Sequence, residues 1–303
     1  MFDFRFPAVE DRKWMHPILS ESGNMGSESA FGTLFLWSSA DFSEVCRYRD
    51  YMILYSGGTF HTYNMPIGGK GLPFDAIEAI IQDAKDRGIP FKMWGITQDG
   101  VAELQKMYPG RFRFQFDRDG SDYLYNAGDL VGLPGRKFHG KRNHLAQFDR
   151  DYDWTYEEVT RENFGECLEI DREWRETRTG EERDGIESET EAIRKAFENF
   201  EALELSGGLI RIDGRPVAFT VGEEINPEAF LIHFEKALDG YTGLYTAINH
   251  EFAVHRLSGY RYVNREEDMG IEGLRKAKLS YHPAALLQKY AVTLCREEEG
   301  GIP

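Results

Sequence analysis

Residues 135–148 read Gly-Arg-Lys-Phe-His-Gly-Lys-Arg-Asn-His-Leu-Ala-Gln-Phe, a compact basic cluster in a chain whose formal net charge is −16. Wound as a helix at about 100° per residue, residues 136–149 put Phe138, Leu145 and Phe148 on one side. Lys141 then falls between Leu145 and Phe148, and Arg142 beside Phe138. Cations on a packing face are costly unless an anion meets them. Lys141 and Arg142, with Asn143 next to them, therefore read as one wall of an anion site. The competing reading is that their stems are buried and their heads snorkel to carboxylates.

Four other segments carry groups suited to chemistry. Asn264-Arg265-Glu266-Glu267-Asp268-Met269-Gly270 follows a run with strand character, at a place where a sheet edge presents side chains. Its three carboxylates would hold an amine or balance Lys141 and Arg142, and Glu266 or Asp268 would serve as a general base. The alternative is a solvated loop paired with Arg275 and Lys276. No histidine lies near these carboxylates in sequence, so no metal is expected. Along 229–236, period-two alternation puts Leu231, His233 and Glu235 on one face, where His233 and Glu235 would form an acid/base pair or a satisfied structural pair. Gly240, Tyr241, Thr242 and Gly243 precede a helix, a position whose backbone N–H groups bind anions. Arg275 and Lys278, just before Tyr281, form a second basic notch that would take a phosphate or cap a helix C-terminus.

These residues need elements to hold them. Residues 28–37 read as a short buried helix and 51–63 as a hairpin around Gly57-Gly58. Residues 74–87 place Ile77, Ile80, Ile81 and Ala84 at helical spacing, with Gly88 as the stop. A strand at 91–94, a helix at 98–107 and strands at 112–116 and 121–126 follow. Helices at 160–174 and 187–200 flank a polar loop carrying Arg175, Arg178 and Arg183. Then come a hairpin turning at Asp213-Gly214, a strand at 229–236, a helix through about Leu257 and a strand at 260–264. Strands alternating with helices indicate an α/β or α+β layered fold.

Composition narrows the class. Hydrophobic content of 41% and aromatic content of 14% suffice for packed cores. Cys46, Cys167 and Cys295 are scattered and odd in number, which fits a reducing cytoplasm rather than a disulfide framework. The charged N-terminus lacks the apolar run of a signal peptide, and no stretch is long and apolar enough to span a bilayer. Residues 151–204 hold 19 acidic and 7 basic residues, a net of −12. An anionic partner is therefore expected at a local notch, since a broad polyanion-binding face is excluded.

The order hairpin, strand, glycine-bearing turn, helix, strand is that of GNAT acyltransferases. Over essentially its whole length the chain resembles the DUF2156 group, related to the C-terminal catalytic domain of phosphatidylglycerol lysyltransferase and more distantly to the Fem peptidyltransferases. The resemblance rests on Tyr123–Leu130, Gly135–His144, Phe234–Ala237 and Tyr262–Tyr281. It implies tandem GNAT-like domains, at 1–130 and 131–303, with the basic helix opening the second and the cleft facing the C-terminal half. It also implies transfer of an acyl or aminoacyl group onto an amine or hydroxyl, with no covalent enzyme intermediate. The donor would be acyl-CoA or aminoacyl-tRNA, neither tightly bound, and the acceptor a small molecule or lipid head group. Gly240–Gly243 and Lys278 would contact an acyl-CoA donor, whereas a tRNA would enter by the basic notch. Asn143, Asn264, Arg265 and Arg275 would contact substrate. Lys141 and Arg142 would neutralise phosphate, and Glu266, Asp268 or the His233–Glu235 pair would move the proton. No integral membrane contact is expected. The rival expectation is a non-catalytic module that binds an anion or nucleotide on the same fold.

Overall fold

Asp213 and Gly214 take φ of +50° and +78°. Two successive positive values match the twist of flanking strands, so this turn joins β8 (Ser206–Ile212) to β9 (Arg215–Asn226) as a tight hairpin. Leu209 and Phe219 on one face and Ile210 and Ala218 on the other are fully buried, and strands apolar on both faces belong inside a sheet. The edge strand next to β8 is β7 (Trp154–Glu158), and the inner neighbour of β9 is β10 (Ala229–Ala237).

The computed structural model describes residues 2–70, 72–178 and 185–295; Arg183 of the polar loop lies outside them. The remaining strands are β1 (Ser43–Tyr48), β2 (Tyr51–Ser56), β3 (Thr62–Tyr63), β4 (Ile67–Gly68), β5 (Lys92–Thr97), β6 (Phe112–Asn126), β11 (Tyr262–Asn264) and β12 (Ala285–Leu294). They join into one sheet ordered β1-β2-β3-β5-β12-β6-β11-β10-β9-β8-β7, with β4 on β2. The C-terminal strand β12 thus lies between β5 and β6, completing the sheet of the N-terminal half. A division at 130/131 would separate β12 from both neighbours, so the two halves share strands rather than meeting at a linker.

Helices cover the sheet unevenly. In the N-terminal half, α4 (Phe74–Asp86) buries Ile77, Ile80 and Ala84 against Met93, Phe112 and Val292, as its spacing requires, and Gly88 ends it in a left-handed conformation. With it lies α5 (Gln98–Met107), whose N-cap Thr97 hydroxyl accepts the Gly100 N–H. In the C-terminal half, α8 (Phe164–Glu176) and α9 (Ile186–Glu198) pack on one face, Phe197 against Phe219. On the other face lie α10 (Leu244–Phe252) and α7 (His139–Asp151). Phe138 and Phe148 are fully buried, so the apolar stripe foreseen for 136–149 does face the core. Also present are α1 (Arg12–Glu21), α2 (Phe31–Leu36), α3 (Ser38–Asp41), α6 (Ala127–Gly132) and α11 (Glu272–Leu279). No helix among the described residues is long and apolar enough to cross a membrane.

Candidate functional site

β10 and β11 run parallel through the α10 crossover, but pair only from Ala229–Leu231 with Tyr262–Asn264. Beyond Leu231 the chains part, because β10 continues to Ala237 while the chain after Asn264 turns away. Charged groups fill the resulting splay. Arg265 Nη2 donates to Glu235 Oε1 at 2.9 Å, and the Asn249 amide donates to Glu235 Oε2 at 3.1 Å. The Arg265 guanidinium stacks over Tyr281, and its Nη1 is buried with no hydrogen-bond partner. Lys141 reaches in from α7, its Nζ 3.6 Å from the centre of the Tyr281 ring. Burial and the neighbouring Arg265 push its ammonium down to about 8, against the pull of Glu235. Lys141 is therefore a second cation in this splay, near the unpartnered Arg265 Nη1.

Arg142 goes elsewhere. Its Nη1 donates to the Leu133 and Gly135 carbonyls at 2.5 and 2.8 Å, closing the end of α6. Those carbonyls are orphaned by the turn and outcompete a distant anion. Asn143 is exposed, with its amide near His139.

The segment 264–268 fans out instead of acting as one acidic patch. Glu266 has φ of +57° and Met269 of +51°, so successive side chains leave in different directions. Asn264 is buried, donating to Met25 O and Asp122 and accepting the Glu266 N–H. Glu266 faces His233, with 3.7 Å between Oε1 and Nδ1. Asp268 is fully buried and accepts from Arg118, Tyr123, Arg275 and the Gly270 N–H. Burial favours its neutral form, but these bonds hold it well below the usual carboxylate range. A carboxylate so saturated is an anchor, and the base expected at Asp268 is not available there. Arg275 is its partner and also binds Asp119. Lys278 is pinned within the fold, its Nζ donating to the Arg265 and Glu267 carbonyls. It holds the loop shut and is not free for a cofactor.

His233 and Glu235 do not pair. A bulge between Ile232 and Phe234 breaks the period-two alternation. His233 Nε2 lies 2.9 Å from Glu223 Oε1, beside α2, while Glu235 faces α10 and Arg265. Burial lowers the imidazolium affinity for its proton, yet Glu223 and Glu266 override it and raise the group to about 9 from 6.5. Its stabilising contribution is therefore fully present below pH 6.5 and lost as pH rises to about 9. The unfolding free energy of wild type minus that of His233→Gln is expected to shrink by up to roughly 3 kcal/mol across this window. A pH-independent difference in denaturant titrations would contradict a charged His233.

The glycine turn is occupied by the chain itself. Thr242 N–H donates to the Tyr152 hydroxyl at 3.0 Å. A Cβ on Gly243 would meet the His144 carbonyl oxygen at 2.9 Å and Phe148 at 3.3 Å, so α7 sits directly on the N-terminal turn of α10. Tyr241 packs edge-on against Tyr152. Gly240, at φ +93°, has open space around it.

A further group of buried charges, absent from the sequence-based expectations, lies at the middle of the sheet. Lys289 on β12 is 1% exposed and donates to Asp122 at 2.7 Å and the Ser27 hydroxyl at 3.2 Å, with Glu28 at 2.6 Å. Glu267 lines a cavity of about 980 Å³ beside them. Burial, together with Glu266 and Asp122, pushes its carboxyl up to about 7, against the pull of Lys289. The walls come mainly from β2, β3, β5, β6, β12 and α2, so the cavity belongs to the N-terminal half. The expected cleft faced the other way. Alternating polar residues on β5, β6 and β12 were the available signal, but only once β12 is known to lie between the other two.

The model of the family described as phosphatidylglycerol lysyltransferase, C-terminal, matches residues 20–293. A conserved Bacteroides thetaiotaomicron protein of unknown function is 37% identical, with 97% of this chain and 100% of that one covered and a TM-score of 0.93. Two more distant structures share the fold, each with a TM-score of 0.67. One is the C-terminal DUF2156 domain of an Agrobacterium fabrum protein described as a lysylphosphatidylglycerol synthetase, at 17% identity over 94% and 92% of the two chains. The other is L-PGS from Bacillus licheniformis, at 16% identity over 95% and 93%. No curated protein matches the chain.

Proposed function

From the premise that the chain belongs to the phosphatidylglycerol lysyltransferase C-terminal family, a family of transferases on a GNAT-like fold, we propose that it moves an aminoacyl group from aminoacyl-tRNA to a nucleophile. One observation carries the choice of donor. The turn that would cradle the pyrophosphate of acyl-CoA has its Thr242 N–H taken by Tyr152 and its Gly243 covered by α7, while Lys141 and the unpartnered Arg265 Nη1 face the splay. The Lys141 ammonium and the spare Nη1 of Arg265, whose Nη2 is paired with Glu235, suit the phosphates at the end of a single strand, where charge neutralisation dominates affinity.

Within this reading Lys141 and Arg265 hold the terminal phosphates of the donor and orient its ester toward the loop 264–268. Glu267 takes the proton released by the nucleophile, since a carboxyl poised near neutral pH is matched to that task. His233 keeps Glu266 beside Glu267, and Lys278 fixes both carbonyls of the loop. These are positioning roles.

The donor is tested by melting the protein with charged tRNA and, separately, with acyl-CoA. A donor at one hundred times its Kd adds about 2.7 kcal/mol of stability, and charged tRNA is expected to do so where acyl-CoA does not. Lys141→Met is expected to reduce the slope of log affinity against log salt by about 0.7, the loss of one phosphate contact on a single strand. Stabilisation by acyl-CoA with turnover of a labelled acyl group would overturn the assignment.

A further inference from the structure

One face of the N-terminal sheet is polar where a packed face would be apolar. Met93, Phe112 and Val292 turn toward α4 and α5, so the alternate positions on the same strands turn the other way. These are Lys92 and Trp94 on β5, Thr293 on β12, and Arg113, Gln115 and Asp117 on β6. They form the floor of the 980 Å³ cavity, and α2 and α3 stand over it. The Thr33 hydroxyl on its wall is buried without a hydrogen-bond partner.

The two ends of this cavity differ in charge. Thr293 pairs with Lys92 on one side and Arg113 on the other, so the two cations flank a single rung, while Asp41 of α3 also lines the cavity. At the inner end lie Glu28 and Glu267, next to the rung where Lys289 pairs with Asp117. Asp117 is already used by the Trp94 indole and the Gly120 N–H. Arg113 and Asp117 are four positions apart on β6, a separation of about 13 Å at the usual strand rise. Lys289 pairs with both Glu28 and Asp122, so with Glu267 the inner end holds three carboxylates against one ammonium. Glu267 has no ion-pair partner among the described residues, and the Trp94 ring, whose centre lies 5.5 Å from Lys289 Nζ, lines the same cavity.

We infer that this cavity holds the acceptor, and that the acceptor is an extended amine bearing a carboxylate or phosphate about 13 Å from its nitrogen. The ammonium meets Glu267 and Glu28 against Trp94, and the anion meets Lys92 and Arg113. An anionic head group without an amine would bring its charge to the acidic end and be repelled. The inference rests on the transfer reaction proposed above. In that reaction the amine nitrogen attacks the ester carbonyl, a C–N bond forms and the ester C–O bond breaks. One of the two protons lost by the ammonium passes to Glu267 and then to solvent. The other goes to the leaving ribose oxygen.

Tetraglycine, whose termini stand about 13 Å apart when extended, is the first probe, with binding followed by calorimetry in the absence of tRNA. It is expected to bind more tightly than diglycine. N-acetylation or C-terminal amidation should each weaken it by at least about tenfold, the scale of a lost hydrogen bond to a charged group. Glu267→Gln should reproduce the first loss and Arg113→Gln, on an exposed side chain, the second. An aminoalkyl phosphate of equal span, run in parallel, identifies which anion the outer end prefers. Equal binding of the acetylated and free peptides would overturn the inference, as would indifference to Arg113→Gln. The two readings fail separately. Peptide binding without any transfer from charged tRNA removes the reaction and leaves the site. Transfer to phosphatidylglycerol vesicles, undisturbed by Arg113→Gln, removes the site and leaves the reaction.

Discussion

Lys289→Met is expected to cost about 3–5 kcal/mol of folding stability, the usual result of leaving a buried charge uncompensated. Asp122 is fully buried, and the variant leaves it the Ser27 N–H, the Ser27 hydroxyl and the Asn264 amide, all neutral donors. Glu28 loses its partner in the same step. Methionine fills much of the lysine volume, so the loss reports the missing charge more than a cavity. The position magnifies the effect, because β12 joins β5 to β6 and Asp122 with Asn264 ties β6 to β11. Urea denaturation followed by far-ultraviolet circular dichroism measures the change. A double variant, Lys289→Met with Asp122→Asn, is expected to be more stable than Lys289→Met alone, since it removes the stranded charge. A single-variant loss under about 1 kcal/mol would mean the site is solvated and the ion pair worth no more than a surface one.

Glu267→Gln is expected to lower the rate of aminoacyl transfer by about 10²- to 10⁴-fold, the range for a lost general base, with the fold intact. The side chain lines a cavity and supports no ion pair among the described residues, so stability should change little. The pH profile adds a second readout. With its carboxyl raised to about 7, the wild-type rate should climb with pH through that value and level off as the carboxylate forms. The variant should lose that limb. A rate within about threefold of wild type, with the limb retained, would assign the proton to another group. Neither Asp268, saturated by its own donors, nor Glu235, held by Arg265 and Asn249, is free to substitute.

Much of the local architecture follows from the sequence because it depends on neighbours a few residues apart. The Asp213-Gly214 turn, the Ile77–Ile80–Ala84 face and the Gly88 stop are set by backbone preference and helical spacing, and each is found where the pattern requires. Lys141 was legible for the same reason: a lysine between Leu145 and Phe148 on a packing face has to be accounted for, and it turns into the splay. The acidic block at 151–204 is likewise read from composition without reference to the fold.

Contacts between distant residues decided the rest. Three consecutive carboxylates, Glu266, Glu267 and Asp268, look alike in sequence, yet a positive φ at Glu266 sends them to a histidine, a cavity and a pair of arginines. A single bulge separates His233 from Glu235. The acceptor cavity exists only because β12, from the far end of the chain, sits between β5 and β6 and brings Lys92, Thr293 and Arg113 into one rung. Spacing along the chain fixes which face a residue takes within its own element. Which elements meet, and so which charges must share a buried volume, is fixed by the packing of the whole sheet.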